Sequence, residues 1–308
     1  MGQFPWFATA AELVMVDDRT RRTEMFNDSN IIVASWPNDG AVKQNWGDKL
    51  NPELINKLSG LPVANLSDVS GWEDRPVYRV IGSGLGKMAV NEMIWGMGFL
   101  NGGSRPSRAP ARIFAVRGPK SRERLLSLGI PCPEVYGDPA VLYPLLYSPE
   151  IEKVNDFGII LHCRERNVIP YPQLPPSTID IDINGDIQEV VRAILTCRTI
   201  ISSSLHGIIC AHAYGIPAYW LKASDLPLGD GFKFLDYFES IGCHDVVPTI
   251  IDEENRLEMG TETAPMESLI SGTKLIKSCP FMSISRKRSW IKNLESGKAS
   301  GRRGTIFR

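Results

Sequence analysis

The sequence predicts an α/β fold of two doubly wound domains facing a cleft. Three observations carry this expectation. Short β-branched or apolar runs, among them residues 31–36, 113–116, 157–163 and 199–201, alternate with stretches of helical period. The alternation breaks at residues 144–150, where Pro144 and Pro149 are followed by Glu150 and Asn155-Asp156, and restarts at 157. A chain of 308 residues also supports two cores better than one.

Taken in order, residues 1–29 are an apolar start and a charged run, expected as a short helix or an arm. Residues 31–36 read as the first strand. Asn38-Asp39-Gly40 is a loop, and Asp48 or Asn51-Pro52 starts a helix with Leu54, Ile55 and Leu58 on one face. Residues 76–81, 93–99 and 113–116 read as strands. Gly118-Pro119-Lys120-Ser121 opens a helix over 122–128 that Gly129 stops. Residues 135–139 form a short strand and turn. This places a first domain at 1–146. A second, at 147–280, has strands at 157–163, 178–183, 198–202, 216–221 and 246–251, the last of the set, with helices at 187–195, 232–241 and 266–278. A closing helix at 285–294 and a basic, Gly-containing tail make up 281–308.

The chemistry concentrates where the strand ending in Thr199-Ile200-Ile201 meets Ser202-Ser203-Ser204-Leu205-His206-Gly207. The serines read as N-caps for a helix that Gly215 stops before Pro217. His206 then sits at a helix start beyond the carboxyl end of a strand, where open α/β sheets bind ligands and free amides favour anions. Arg117 occupies the same kind of position after the strand at 113–116, where a guanidinium can clamp an oxyanion.

Other patterns argue against rival chemistries. Gly82-Ser83-Gly84-Leu85-Gly86-Lys87 follows a strand, but it has neither dinucleotide nor P-loop spacing. Asp180-Ile181-Asp182-Ile183-Asn184-Gly185 starts like an EF-hand loop, yet Val191 stands where the bidentate Glu is needed. The six cysteines are scattered without a CxxC pair, and the four histidines lack metal spacing. No G-x-S-x-G frames Ser203 or Ser204. A net charge of -1 argues against a dedicated nucleic-acid binder. No apolar run reaches the roughly 18 residues of a membrane span, and the N-terminus lacks a basic n-region, so a cytoplasmic protein is expected.

The Ser202–Gly207 string together with Ala213-Tyr214-Gly215-Ile216-Pro217 resembles the polysaccharide pyruvyl transferase family. So do Asn45-Trp46-Gly47-Asp48, Trp95-Gly96-Met97-Gly98-Phe99, Val116-Arg117-Gly118-Pro119-Lys120-Ser121 and Tyr136-Gly137-Asp138-Pro139-Ala140. The likeness runs in order from about residue 30 to 250. The resemblance implies two Rossmann-like domains facing a cleft, similar to GT-B glycosyltransferases, with the acceptor on the side of domain 1–146. It implies transfer of the enolpyruvyl group of phosphoenolpyruvate to a sugar of a polysaccharide or lipid-linked precursor, forming a pyruvate ketal in exopolysaccharide or other cell-surface glycan biosynthesis. No cofactor and no metal are implied.

By the same resemblance, His206 carries over as the catalytic residue and Arg117 as a donor-binding residue. A histidine of ordinary pKa, about 6.5, suits an acid that protonates the donor's CH2 carbon near neutral pH. Some members have arginine immediately before Leu-His-Gly; here that position is Ser204. The substituting phosphate contact then falls to Ser204 itself, Lys222 or Lys233, beside Ser203 and Leu205. Asn45, Asp48 and Asp138 are candidates for substrate contact, and the two aspartates read equally well as turn caps. The expected partners are phosphoenolpyruvate and a glycan or lipid-linked sugar, with the basic tail a candidate for contact with an anionic inner-membrane face. A GT-B-type sugar-nucleotide glycosyltransferase and a non-catalytic glycan-binding protein are the alternatives.

Overall fold

The computed structural model describes residues 30–38, 45–88, 91–264 and 272–295. The expected N-terminal arm, the basic tail from 298 and the first part of the 266–278 helix lie outside them. The described chain is mixed α/β, with two sheets built mainly of parallel strand pairs.

The first sheet contains β1 (Ile32–Ala34), β2 (Val63–Asn65), β3 (Val77–Arg79), β4 (Glu92–Trp95) and β5 (Arg112–Ala115). Its order is β2-β1-β3-β4-β5, parallel throughout. β2 has only three residues and no alternation, so periodicity gives it no signal. The second sheet contains β6 (Asn155–Ile160), β7 (Thr178–Asp180), β8 (Cys197–Ser202), β9 (Ala218–Lys222), β10 (Thr249–Ile251) and β11 (Leu257–Glu258), in the order β11-β10-β9-β8-β6-β7. Residues 246–251 are not the last strand. β11 and β12 (Glu262–Thr263) follow, both antiparallel, and β12 adds to β9 beside β10.

Numbered from its own first parallel strand, each sheet reads 2-1-3-4-5. In both, the chain reverses its direction of travel between strands 1 and 3, and the crevice of such a sheet opens at the carboxyl ends there. The first sheet departs from a fully wound pattern: β3 to β4 and β4 to β5 cross over without a helix among the described residues.

Helix α1 (Trp46–Ser59) is the only crossover helix of that sheet among the described residues. It starts earlier than its sequence suggested, because Asn45 is the cap and its Oδ1 accepts from the Gly47 N–H at 3.1 Å. Pro52 is therefore interior, and it supplies no donor for the Asp48 carbonyl. The Asn51 side-chain amide replaces it, donating to Gly47 O and Asp48 O at 3.3 Å. Leu50, Leu54, Ile55 and Leu58 are fully buried along one face. The helix leans on the second half of the chain: Trp46 Nε1 donates to Ile187 O, and Lys49 Nζ to Gly185 O.

The two halves share one core. Trp46, Leu50 and Tyr143 belong to the same apolar cluster as Ile194, Ile208 and Ile209. These last residues come from α3 (Ile187–Leu195) and α4 (Leu205–Ala213). The closing helices, described over Gly272–Ser278 and Ile284–Glu295, return to the first half. Trp95 Nε1 donates to Leu275 O, and Arg286 donates to the last carbonyls of α1, Lys57 O and Leu58 O.

One polar contact ties the halves where the core does not. Helix α2 (Pro119–Ser127) packs against α5 (Phe232–Ser240), and Asp236 of α5 is fully buried against α2. Its Oδ1 accepts from the Ser121 N–H, and its Oδ2 from Ser121 Oγ and Arg117 Nε. A Cβ on Gly118 would lie 1.8 Å from Asp236 O. Gly118→Ala should therefore push α2 from α5 and lower stability by about 1–3 kcal/mol or more. Gly103→Ala, with open space around it, should stay within about 0.5 kcal/mol of wild type. Urea unfolding of both variants checks the contrast.

Candidate active site

The reversal point of the second sheet lies between β6 and β8, so residues 161–163 and 203–206 share one edge. Ser203 prolongs the ladder, its N–H donating to Ile160 O at 3.0 Å. Its hydroxyl accepts from the His162 N–H at 2.8 Å and donates to the buried carboxylate of Glu165. Glu165 also accepts from Ser224 Oγ at 2.7 Å. Ser202 Oγ closes a local turn with Ser204, accepting from its N–H and donating to its carbonyl. Ser204 stands at the cap position of α4, but its side chain makes no capping bond. The expected serine cap is thus corrected: the hydroxyls are spent on the β8–α4 turn and on Glu165. Leu205 is buried. The glycine after His206 has a steric reason, since a Cβ on Gly207 would lie 2.6 Å from Ser202 Oγ.

His206 faces Asn45-Trp46-Gly47-Asp48 from the other half. Its ring lies over Gly47, where a Cβ would meet His206 Cγ at 2.3 Å. His206 Nδ1 is 2.6 Å from Asn45 Oδ1. That oxygen already accepts from the Gly47 N–H, so it is an acceptor and Nδ1 is the donor. This assignment follows from the hydrogen-bond network, and it leaves Nε2 with the lone pair. Burial is the largest influence on the imidazole, followed by the charges of Lys233, Arg117 and His162, and the pKa falls to about 3. The ordinary histidine pKa assumed from sequence does not hold in the unliganded site, where the ring is neutral near pH 7.

Arg117 is fully buried. Besides Asp236, its Nη2 donates to Phe99 O at 2.6 Å and its Nη1 to Ser83 Oγ at 2.6 Å. Gly98 leaves room for it, because a Cβ there would sit 2.5 Å from the guanidinium carbon. Most of its donors are engaged, so its charge reaches the cleft more readily than its hydrogen bonds do.

The two candidate lysines separate cleanly. Lys233 is buried, donates to Leu228 O at 3.2 Å, and is pushed down to about 8 by burial and by Arg117. Its charge acts on His206, His162 and Asp48. Lys222 is exposed at the end of β9, 3.6 Å from exposed Asp225, and no contact joins it to the cluster among the described residues.

Asp48 and Asp138 complete the site. Asp138 caps the short 3-10 helix Pro139–Leu145 through Oδ1, which accepts from the Ala140 N–H. Its Oδ2 is buried without a partner. Asp48 Oδ1 lies 4.0 Å from the place of a Cβ on Gly82, so it borders the loop that follows β3. Burial raises both carboxyls from 3.8 to about 7, and the charge of Asp138 adds to the effect on Asp48.

No group of three or more His, Cys, Asp or Glu is placed to hold a metal among the described residues. A surface hollow of about 600 Å³ lies elsewhere, between residues 109–113 and 129–133. It sits at the amino end of β5, away from the chemistry-bearing side chains.

His162, Glu165, Ser83 and Asp236 belong to this region and were not singled out from sequence. His162 and Glu165 follow β6 directly, so the reversal-point rule applied to that strand would have found them. Nothing in the local sequence around Asp236 pairs it with Arg117. Among the described residues, these side chains form a largely buried, charge-rich cluster at the carboxyl edges of two parallel sheets. Residues 105–225 match the family model for polysaccharide pyruvyl transferase, a stretch that includes Arg117, Asp138, His162 and His206. Asn45, Asp48 and Lys233 lie outside it. The match supports a pyruvyl-transfer role in glycan biosynthesis and implies a glycan acceptor. The chain is also 29% identical over 206 residues to an uncharacterized protein of Acanthamoeba polyphaga mimivirus, covering 64% of this chain and 71% of that protein. No solved structure matches the chain. No helix among the described residues is long and apolar enough to cross a membrane.

The ionisable groups set opposed pH trends. His206, His162 and His212 are held by burial below the ordinary histidine value of 6.5, at about 3, 4 and 4. A base depressed by folding contributes stability above its unfolded pKa and loses it as pH falls through the folded one. Asp48 and Asp138, raised from 3.8 to about 7, contribute stability at low pH that is lost as pH rises through about 7. Removing both carboxyls, as Asp48→Asn with Asp138→Asn, should make the protein lose more stability than wild type between about pH 7 and pH 4. Urea midpoints at the two ends of that window test the sign.

Proposed function

We propose that this protein transfers the enolpyruvyl group of phosphoenolpyruvate to two hydroxyls of a sugar, giving a pyruvate ketal and phosphate. The carrying observation is the neutral His206 over Gly47, flanked by buried Lys233 and Arg117 at the α4 N-terminus. A donor with a phosphate and a carboxylate suits that surplus of positive potential. Two sheets meeting at their reversal points fit a GT-B-like arrangement, with the acceptor on the Asp48 and Ser83 side.

In this reading Lys233 replaces the arginine that some relatives place before Leu-His-Gly, because it is the candidate lysine whose charge reaches His206. The bound dianion offsets the cations that add to burial in lowering the imidazole, and so favours the proton on His206. His206 then protonates the donor's CH2 carbon. The electron pair of the C2–C3 double bond forms the new C–H bond, and the first hydroxyl oxygen bonds to C2. The second hydroxyl oxygen later replaces phosphate at C2, and its proton leaves with the phosphate.

Incubation with phosphoenolpyruvate and a panel of methyl hexopyranosides, measuring phosphate and ketal, tests the function. Lys233→Met should raise the KM for phosphoenolpyruvate or lower kcat/KM by at least about tenfold, given the 1.5–3 kcal/mol typical of a charge-assisted contact. Lys222→Met should leave both within about twofold. Glycosyl transfer from a sugar nucleotide, with no use of phosphoenolpyruvate, would overturn the reading.

A further inference from the structure

The transfer leaves one proton without a destination. The acceptor hydroxyl must lose its proton as its oxygen bonds to C2, and His206, in the reading above, is giving one. We propose that Asp48 is the base that takes the acceptor hydroxyl's proton, and that Asp138 is its positioning partner. The inference rests on the proposed pyruvyl transfer and supplies the group that reaction lacks.

Geometry carries it. Asp48 follows Gly47, the residue beneath the His206 ring, in the first turn of α1. Its carboxyl borders Gly82, at the reversal point of the first sheet, where the acceptor would enter. Asp138 stands at the start of the 3-10 helix Pro139–Leu145. It follows Gly137, whose N–H donates to Arg117 O at 3.1 Å. One of its oxygens is fixed by the Ala140 N–H, and the other is buried and unpartnered. A buried carboxylate oxygen with no donor is costly, and a proton on it removes the cost.

The charged and titratable groups that act on the pair are few. Lys233 favours the ionised form of Asp48, and Asp138 opposes it. Arg117 favours ionised Asp138, while Tyr237 and Cys163 are neutral neighbours held above their ordinary values. Burial outweighs the cations for both carboxyls, so the pair titrates near neutrality as a coupled unit. In the step, the hydroxyl O–H bond breaks toward Asp48 and the oxygen's electron pair forms the bond to C2. Asp48 then returns the proton to solvent.

Two readouts test the assignment. The first is phosphate release from phosphoenolpyruvate with the methyl hexopyranoside panel, across pH, with phosphoenolpyruvate affinity measured by calorimetry. Asp48→Asn should lower kcat by about 10²–10⁴-fold, abolish the acid limb near neutrality, and leave phosphoenolpyruvate affinity within about threefold. Asp138→Asn keeps an acceptor for Ala140 but removes a charge, so the acid limb should move to lower pH, which a purely structural role would not do. The second readout is a 13C carboxyl titration of Asp-labelled protein, which needs no substrate. Wild type should show two coupled steps near neutrality, and Asp138→Asn should shift the Asp48 step downward. An Asp48→Asn enzyme with near-wild-type activity and pH profile, or carboxyls that titrate near the ordinary aspartate value, would overturn the inference. Wild-type protein that releases no phosphate would instead sink the transfer reading, with the carboxyl titration still deciding the pair.

Discussion

The site depends on one buried ion pair, Arg117 with Asp236, which lies between helices that belong to different sheets. Neither side chain has measurable exposure. Two charges so placed are stable only if their remaining hydrogen-bond capacity is met. Ser121 gives Asp236 two donors, and Phe99 O and Ser83 Oγ take two from Arg117. The glycines around the pair follow from it. Gly98 makes room for the guanidinium, and Gly118 lets α2 approach the α5 backbone. The motif Val116-Arg117-Gly118-Pro119-Lys120-Ser121 is a docking device first. Its contribution to ligand binding comes through the field of a charge that the protein has already partnered.

Burial sets the state of the other groups first, and that field adds to it at His206. Arg117, Lys233 and His162 all oppose a proton on His206, and the ring gives its one proton to Asn45. The same burial raises Asp48 and Asp138 to about 7 despite the cations beside them, so protonated and ionised forms coexist near neutrality. Burial opposes the charged form of each group, which lowers the histidine and raises the two carboxyls. An anionic ligand would reverse the histidine first, since the cation charges are among its causes.

Much of the fold was legible in the chain. α3 runs from Ile187 to Leu195, as its apolar period indicates, and the strands before His162 and Ser203 carry the apolar stretches Ile159-Ile160-Leu161 and Ile200-Ile201. What was not legible is what tertiary contact decides. The start of α1 at Trp46 depends on Asn45 serving both the helix and His206. Asn51 rescues a helix that Pro52 would otherwise end. β2, β11 and β12 are too short for periodicity to register. At the site, His206 was found because a strand, a turn and a helix are adjacent in sequence. Asp236 and Glu165 were missed because their partners lie 115 and 38 residues away.

Ser204 shows the same limit from the other side. Read along the chain, it stands where some relatives have a cation, and the site looks deficient. Read across the cleft, the cation is Lys233, carried on the first turn of α5, the helix that also carries Asp236. A phosphate responds to the sum of nearby charge, so a lysine on α5 and an arginine on the β8–α4 turn are electrostatically exchangeable. They are not exchangeable mechanically. A charge on α5 is held by the Asp236–Arg117 pair that joins the sheets, so in the proposed reaction the phosphate site and the contact between the halves would depend on one helix.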